Sequence, residues 1–418
     1  MTDYQPVLLP GTPDLHKIDV YEQHGGYQQA RKAMGMTPEE IIEIVKGSGL
    51  RGRGGGAFPT GLKWSFMPKD GEKPSYLCVN GDESEPGSFK DRQIFEFNPH
   101  LMIEGILITG RALRIKAAYI YIRGEYEAWV QMVEKAVADA YSKGYVGEKM
   151  KETFGVDFSC EIYVHRGAGA YICGEESSLM NSIEGIRPYP RVKPPFPAQV
   201  GLWGCPTTIN NVETIANVPV ILDKGPDWFK SIGAEKHPGP ILYGISGHVN
   251  KPGVYDLPTG MLLTELINDV AGGVPNGKKI KMVIPGGSSM PPLRGDELEG
   301  VRMDAESLKE VGSAIGTAGI MVMDEDTDLT RILTRITHFY KVESCGQCTP
   351  CREGTGWMLK VLNRMLEGNG TPSDLDLLPD VANNIEGNTV CALGDAAAWP
   401  VKFTIERFRT ELEAELER

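Results

Sequence analysis

Three cysteines stand two residues apart near the end of the chain, Cys345, Cys348 and Cys351, and a fourth, Cys391, follows much later. Thiolates at that spacing wrap one face of a cuboidal iron–sulfur cluster from a tight loop, and one more from a distant segment completes a Cys₄ set. In two-cluster ferredoxins the fourth cysteine comes within a few residues and precedes proline. Here Cys391 precedes Ala392, so the pattern points to a single [4Fe–4S] cluster stapling two segments together. Structural zinc also takes four cysteines, usually from two separate CxxC pairs, and remains the alternative ligand. Four unrelated buried thiols are the other reading, disfavoured by such concentration in a chain with eight cysteines.

A second candidate for chemistry is Arg51-Gly52-Arg53-Gly54-Gly55-Gly56-Ala57-Phe58-Pro59-Thr60-Gly61-Leu62-Lys63-Trp64, with five glycines in its first eleven residues. Bare backbone lets N–H groups approach a phosphate, and Lys63 downstream supplies charge. The loop follows a helix instead of a strand, so it is neither a Walker A loop nor a dinucleotide fingerprint, and a flexible surface loop would also account for it. A third is Asn80-Gly81-Asp82-Glu83-Ser84-Glu85-Pro86-Gly87, which follows a strand and carries groups able to hydrogen-bond a ribityl chain, a ribose or a flavin edge. Its residues are equally those of a solvated turn. A fourth, Gly167 to Glu176, puts small residues and two glutamates at a strand-to-helix junction, where acids are favoured even without a ligand. Together, three such loops in one α/β unit suggest a nucleotide cofactor site.

The elements that must position these loops follow from periodicity. Thr37, Pro38 and Glu40 form a capping box ahead of Ile41, Ile42, Ile44 and Val45, so a helix starts there. Tyr76 to Val79 reads as a buried strand, Asn98-Pro99 opens a helix, and Ala117 to Ile122 is a second strand. A helix from about Tyr126 to Ser142, a strand from Cys160 to Val164 and a helix beginning at Tyr171 continue the alternation. This order predicts a doubly wound parallel sheet with ligands at the carboxyl ends of its strands. The proline-rich Arg187 to Pro197 is expected to drape over the surface. From about Gly239 the pattern changes. A hairpin at Ile241 to Ser246 and Val254 to Tyr255, a helix at Met261 to Val270 and strands at Ile280 to Ile284 and Ile320 to Met323 predict a small β-grasp domain. Beyond Asp328 the chain reads as helices near 328–341, 353–367, 373–386 and 393–416. The expected domains are therefore 1–238, 239–326 and 327–418.

Composition narrows the function. A net charge of −13 and a pI near 5.2 argue against an electrostatic nucleic-acid binder. Cys78, Cys160, Cys173 and Cys205 lack a disulfide framework spacing, which fits a reducing compartment. No signal or transit peptide pattern opens the chain, and the uncharged apolar run Val311 to Met323 is too short to span a bilayer, so no direct membrane insertion is expected. The seven histidines show no metal-binding spacing, and no Ser-His-Asp or Cys-His arrangement is evident.

The glycine loop, Asn80 to Pro86, Gly169 to Glu176, Thr207 to Glu213 and the cysteine set, in one collinear order from about Thr37 onward, resemble the flavin-bearing NADH-binding subunit of respiratory complex I, NADH:quinone oxidoreductase (51 kDa or F-type). The resemblance implies a Rossmann-like domain binding FMN and NADH, a ubiquitin-like β-grasp domain and a C-terminal helical bundle carrying the [4Fe–4S] cluster. By motif, Gly52, Gly54, Lys63, Asn80, Asp82, Tyr171, Gly174, Glu175, Asn210 and Asn211 would hold FMN. Gly55, Phe58, Phe66, Lys193 and Phe196 would surround NADH, with Glu85 and Glu176 near its nicotinamide end acting electrostatically. Without the resemblance, the three phenylalanines read as core aromatics and Lys193 as a solvated charge. Gly56-Ala57 reverses the family's usual order of alanine then glycine.

The resemblance further implies hydride transfer from nicotinamide C4 to flavin N5 and single electrons passing to the cluster. It implies as partners a small thioredoxin-like [2Fe–2S] subunit and a larger iron–sulfur subunit, and a place on the cytoplasmic face of a bacterial inner membrane. The same module serves as the diaphorase component of NAD-linked hydrogenases and formate dehydrogenases. Those often carry an added thioredoxin-like or ferredoxin-like domain, which this chain does not show. A reading of another class is a non-catalytic iron–sulfur or zinc module.

Overall fold

The computed structural model describes residues 4–69 and 71–417. Its first sheet is fully parallel, in the order β3-β2-β1-β4, from β1 (Ser75–Gly81), β2 (Ile115–Ile122), β3 (Glu161–Arg166) and β4 (Thr207–Asn211). Leu77, Cys78 and Val79 of β1 are wholly buried, as expected of a strand covered on both faces. Chain order runs outward from β1 through β2 to β3, then returns to β1's other side as β4. The reversal makes β1/β4 a topological switch point, where a crevice opens at the carboxyl ends of the strands. Asn80 and Asn211 face each other in register there.

The predicted helix after Thr37 is Pro38–Ser48, with both halves of the capping box formed. The other expected elements of this part are present as Pro99–Leu113 and Glu127–Ser142. Helix Pro99–Leu113 is buried almost all round because it is apolar almost all round. It crosses helix Val212–Lys224 at Gly105, where a methyl group would collide with the carbonyl of Ile215. Several helices escaped the sequence reading, and three of the short ones are Ile18–Gln23, Gln28–Met34 and Asp91–Phe97. None of these three has a side-chain cap, so none shows the start signal used to find helices. The helix expected at Tyr171 is instead a single 3₁₀ turn, Tyr171–Gly174, and the α-helix is Glu176–Ile183. The reason is that Glu175 is the N-cap, its carboxylate accepting from the N–H groups of Ser177 and Ser178. Arg187 to Pro197 carries neither helix nor strand.

After a two-residue ribbon, β5 (Gly233–Ala234) with β6 (His237–Pro238), a mixed sheet runs in the order β10-β9-β11-β7-β8. It comprises β7 (Pro240–Gly247), β8 (Gly253–Pro258), β9 (Ile280–Ile284), β10 (Leu293–Arg294) and β11 (Gly319–Asp324). The predicted hairpin is β7–β8, antiparallel. The chain ends in four helices, Leu329–Glu343, Thr349–Arg364, Asp374–Ile385 and Leu393–Leu416. The second begins earlier than expected because Pro350 fits the first helical turn, where a missing N–H costs nothing. Leu333, Met358, Leu378 and Ile405 form the core of this bundle, which also packs on Met282 and Ile284 of β9. Among the described residues no helix is long and apolar enough to cross a membrane.

Because Gly105 sets how closely the helix after β4 can approach, Gly105→Ala should destabilise the protein by about 1–3 kcal/mol through overpacking. A urea unfolding series monitored by far-UV circular dichroism measures this.

Candidate active site

A cavity of about 520 Å³ opens at the β1/β4 switch point. Its walls come from the whole chain: Gly54–Gly56, the loop from Asn80 to Glu85, the Tyr171 turn, Asn211, two loops of the mixed sheet at Gly286–Ser289 and Gly316–Thr317, and Cys391–Leu393.

The glycine loop is closed by the Gly52 N–H donating to the Phe58 carbonyl at 2.9 Å. Arg53 fastens it from below. Its guanidinium is buried, donating to the Pro238 carbonyl at 2.7 Å and to Nε2 of His237, while its N–H donates to Thr214 Oγ1 at 2.8 Å. Burial lowers the Arg53 guanidinium to about 10, with Glu213 opposing. Burial and Arg53 together hold His237 neutral, far below its ordinary range, and so able to accept. At Gly54 a Cβ would stand 2.9 Å from the Asn211 side chain, so this position must be bare for the loop to reach β4.

The acidic loop is organised by Glu83, which the sequence reading did not single out. It is buried and accepts from the N–H groups of Lys90 (2.7 Å), Asp91 (2.9 Å) and Arg92 (3.3 Å), from Ser88 Oγ (3.2 Å) and from Tyr126 OH (3.2 Å). Asn80 accepts from the Asp82 N–H at 3.0 Å and donates to the Gly174 carbonyl at 2.8 Å, joining two loops. Glu85 accepts from Tyr171 OH (2.7 Å), the Ser289 N–H (2.7 Å), Ser288 Oγ (3.1 Å) and Tyr340 OH (3.4 Å). This single carboxylate joins the parallel sheet, the mixed sheet and the helical end. Gly287, with φ of 96°, is bare because a Cβ there would lie 2.6 Å from Glu85 Cγ. In the floor, the Lys90 ammonium is 2 % exposed and pairs with Asp91 (2.8 Å) and Glu213 (2.7 Å).

Beside the cavity, Lys63 and Lys193 share Glu176 at 3.2 and 2.7 Å, Lys193 also reaches Glu175 at 3.0 Å, and Lys63 donates to the Ile209 carbonyl at 2.8 Å. Burial would raise the Glu176 carboxyl, but Lys63 and Lys193 outweigh it and hold it below the usual range. Phe58 and Phe66 stand with rings 6.3 Å apart, and both, with Phe196, are about half exposed. Exposed aromatics beside a polar crevice are not core residues, contrary to what their type alone suggests.

Of the residues expected at the site, Gly54, Gly55, Asn80, Asp82, Glu85, Tyr171, Gly174, Glu175 and Asn211 line the cavity. Lys63, Lys193 and Glu176 form the charged group next to it. Gly52 and Asn210 lie outside its wall, Asn210 accepting from Trp64 Nε1 at 3.1 Å. Sequence reasoning missed Lys90, Ser289 and Thr317. Two signals were available for the mixed-sheet loops, the glycine pairs in Pro285-Gly286-Gly287-Ser288-Ser289 and in Gly312 to Gly316.

The four cysteines gather against the same wall. Cys351 and Leu393 belong to an apolar cluster with Cys78, Tyr121, Ile172 and Tyr340, and Cys345, Cys348 and Cys391 pack on it. Cys348 Sγ accepts from the Val390 N–H at 3.3 Å, and Ser344 Oγ lies 3.1 Å from Cys351 Sγ. Burial raises the free Cys391 thiol to about 12, so a metal binding this sulfur would have to displace its proton. Among the described residues no three His, Cys, Asp or Glu side chains converge as one metal ion requires. Tetrahedral zinc, with Zn–S bonds of about 2.3 Å, would need them to. A cuboidal cluster holds its cysteines at separate corners.

Three family models match the chain: the Nuo51 FMN-binding domain over 45–220, the SLBB domain over 242–322 and the NADH-ubiquinone oxidoreductase-F iron–sulfur binding region over 331–415. The F 2 subunit of NADH-quinone oxidoreductase in Rhizobium meliloti is 51 % identical over 417 residues, spanning 99 % of this chain and 98 % of its own. The corresponding F-type subunit of Rickettsia bellii is 51 % identical, spanning 96 % of each. The chain belongs to the family of F-type subunits of NADH-quinone oxidoreductase. Two crystal structures of NAD⁺-reducing [NiFe]-hydrogenase, air-oxidised and H₂-reduced, share the fold with TM-scores of 0.82 and 0.83 at 32 and 33 % identity. They match 92 % of this chain, which spans just under two thirds of theirs, 65 and 64 %.

Membership of the F-type family makes FMN and an iron–sulfur cluster the cofactors, and the residues present fit both. The cavity offers bare glycine backbone, polar side chains and a buried Asp82 oxygen without a partner. The cysteine group offers four sulfurs with N–H and O–H groups around them. A Gly54→Val chain should lose retained flavin, because the added side chain drives the loop off Asn211, while keeping its iron. Flavin fluorescence after acid release and iron assay on the same sample check this.

Proposed function

We propose that this chain is the electron-input subunit of a bacterial NADH:quinone oxidoreductase, with domains at 1–238, 239–326 and 327–418. The observation that carries the reading is the shared wall: Cys391 lines the same cavity as the glycine loop and the acidic loop. When bound, FMN takes a pair of electrons from NADH as hydride and delivers them singly to the cluster. The protein's task is orientation and electrostatics. Gly54, Gly55, Asn80, Asp82, Tyr171, Gly174, Glu175 and Asn211 would hold the flavin, with Gly52 shaping its loop and Asn210 bracing β4. Lys63 and Lys193 would face phosphates, and Phe58, Phe66 and Phe196 would cover the adenosine. Glu85 and Glu176 would place negative charge near the nicotinamide, disfavouring further negative charge and so helping product release.

A cluster at Cys345, Cys348, Cys351 and Cys391 needs an outlet. Val342, three residues before Cys345, and Val390, next to Cys391 in the chain, are exposed apolar residues suited to a partner. The partners in this reading are a small thioredoxin-like [2Fe–2S] subunit and a larger iron–sulfur subunit, through which the chain sits on the cytoplasmic face of the inner membrane. The hydrogenase likeness supports a second reading, the diaphorase component of an NAD-linked hydrogenase. At about half identity over the whole chain, the F-type relatives support the first more strongly. Copurifying subunits separate the two.

Adding NADH anaerobically to the purified protein should bleach a flavin absorption band lying above a broad iron–sulfur shoulder. Protein that contains iron but takes up no FMN and ignores NADH would contradict the reading. Glu176→Gln should change NADH affinity and flavin potential, because Lys63 and Lys193 then lose the charge they share. Stopped-flow NADH binding and a redox titration measure the two effects, and no change in either would exclude the electrostatic role.

A further inference from the structure

One buried carboxylate oxygen in the cavity wall is left by the protein without a partner, Oδ2 of Asp82. Every other acid of the loops around it is committed. Glu83 holds the loop's N–H groups, Glu85 is ringed by donors, Glu175 caps its helix and pairs with Lys193, and Asp91 pairs with Lys90. Opposite Asp82 stands Gly174, where a Cβ would lie 3.5 Å from Oδ2, so the Tyr171 turn approaches this oxygen with bare backbone.

The charges facing Asp82 do not neutralise it. Arg123, just beyond β2, gives its guanidinium to Glu125 at 3.0 Å and to the Glu83 carbonyl at 2.7 Å. Glu125 beyond β2 and Glu343 at the end of helix Leu329–Glu343 add negative charge, and Tyr121 of β2 and Cys173 of the 3₁₀ turn are uncharged neighbours at neutral pH. Burial raises the Asp82 carboxyl to about 8, with Arg123 and Ser84 pulling down and Glu125 and Glu343 pushing further up. A carboxylic acid kept neutral in an enzyme site serves as a hydrogen-bond donor. The flavin ring carbonyls and the unprotonated ring nitrogens are acceptors that an ionised carboxylate would repel and a neutral acid would meet with a proton, whereas the ring N–H and the ribityl hydroxyls can donate to either form.

We propose that Asp82 stands in the cavity as a neutral carboxylic acid and donates its proton in a hydrogen bond to an acceptor atom of FMN, linking flavin retention to pH. This rests on the cavity being the FMN site. The sign follows from linkage: the protonated form binds, so affinity is level while Asp82 is protonated in the free protein and falls as pH rises through its titration.

The test is FMN titration of the full chain, cluster in place and flavin removed, followed by fluorescence quenching from about pH 6 to about pH 9, where a group titrating near 8 changes state. The native protein should bind FMN about tenfold more weakly at the top of this range than at pH 7. Asp82→Asn, a donor at every pH, should match it at pH 7 and stay level, while Asp82→Ala should bind weakly throughout. Because flavin and its phosphate titrate identically in each experiment, the difference between profiles belongs to Asp82. Calorimetry in buffers of different ionisation enthalpy should show proton uptake on binding near the top of the range in the native chain and none in Asp82→Asn. Parallel native and Asp82→Asn profiles, or equal proton uptake, would overturn the proposal and leave the FMN site standing. No FMN binding by the native chain at any pH would instead overturn the assignment of the cavity.

Discussion

Everything at the site hangs on the ammonium of Lys90. It lies in the cavity floor at 2 % exposure, between Asp91 and Glu213, with Asn211 Oδ1 at 3.4 Å. Burial alone would drive its proton off, but Asp91, Glu213 and Glu83 outweigh burial and keep it charged. Each partner reaches into a different element. Glu83 pins the loop after β1, Asn211 accepts from the Glu213 N–H at the start of helix Val212–Lys224, and Glu213 Oε1 accepts from the Leu242 N–H of β7 at 2.9 Å. Removing one member of such a buried set costs about 3–5 kcal/mol, because the charges left behind have no water. The same set fixes where the loop walls around β1 and β4 stand, so cofactor geometry and folding stability are one requirement here.

A second tie completes the cavity from above. Glu85 gathers donors from the Tyr171 turn, from Ser288 and Ser289 of the mixed sheet and from Tyr340 of the helical end. The Tyr171 N–H in turn donates to Glu343, two residues before Cys345, at 2.9 Å. The polypeptide that carries Cys345 is thus hydrogen-bonded to the turn that lines the cavity proposed for flavin. Apolar packing of Cys351, Leu393 and Tyr340 on Cys78 and Ile172 excludes water between them. Such a dry, fixed joint suits two redox groups that must stay at constant separation while substrate comes and goes.

Much of this was legible in the residues. The capping box at Thr37, the buried strand at Tyr76, the hairpin at Ile241 and the four terminal helices follow from periodicity and turn chemistry, and the cysteine spacing announces its ligand. What stayed hidden has physical reasons. β4 reads Thr-Thr-Ile-Asn-Asn, because Asn210 accepts from Trp64 Nε1 and Asn211 caps a helix instead of filling a core, so no apolar run marks it. Helix Asp91–Phe97 is started by Glu83 from outside the helix, a long-range cap that no local motif reveals. Tyr171 looked like a helix start because the true N-cap, Glu175, is an unusual residue for that position. The contribution of Ser289 and Thr317 is a tertiary fact, set by the mixed sheet docking on Glu85.

The central claim is that the flavin cavity and the Cys391 cluster form one electron path. Electron paramagnetic resonance of the purified protein, frozen after anaerobic addition of stoichiometric NADH, tests it most directly. The account predicts that a reduced cluster signal appears in the native protein as the flavin band falls, and that Cys391→Ser keeps flavin reduction but loses that signal. A native protein whose flavin is reduced by NADH while its intact cluster stays oxidised, although dithionite reduces it, would contradict the account.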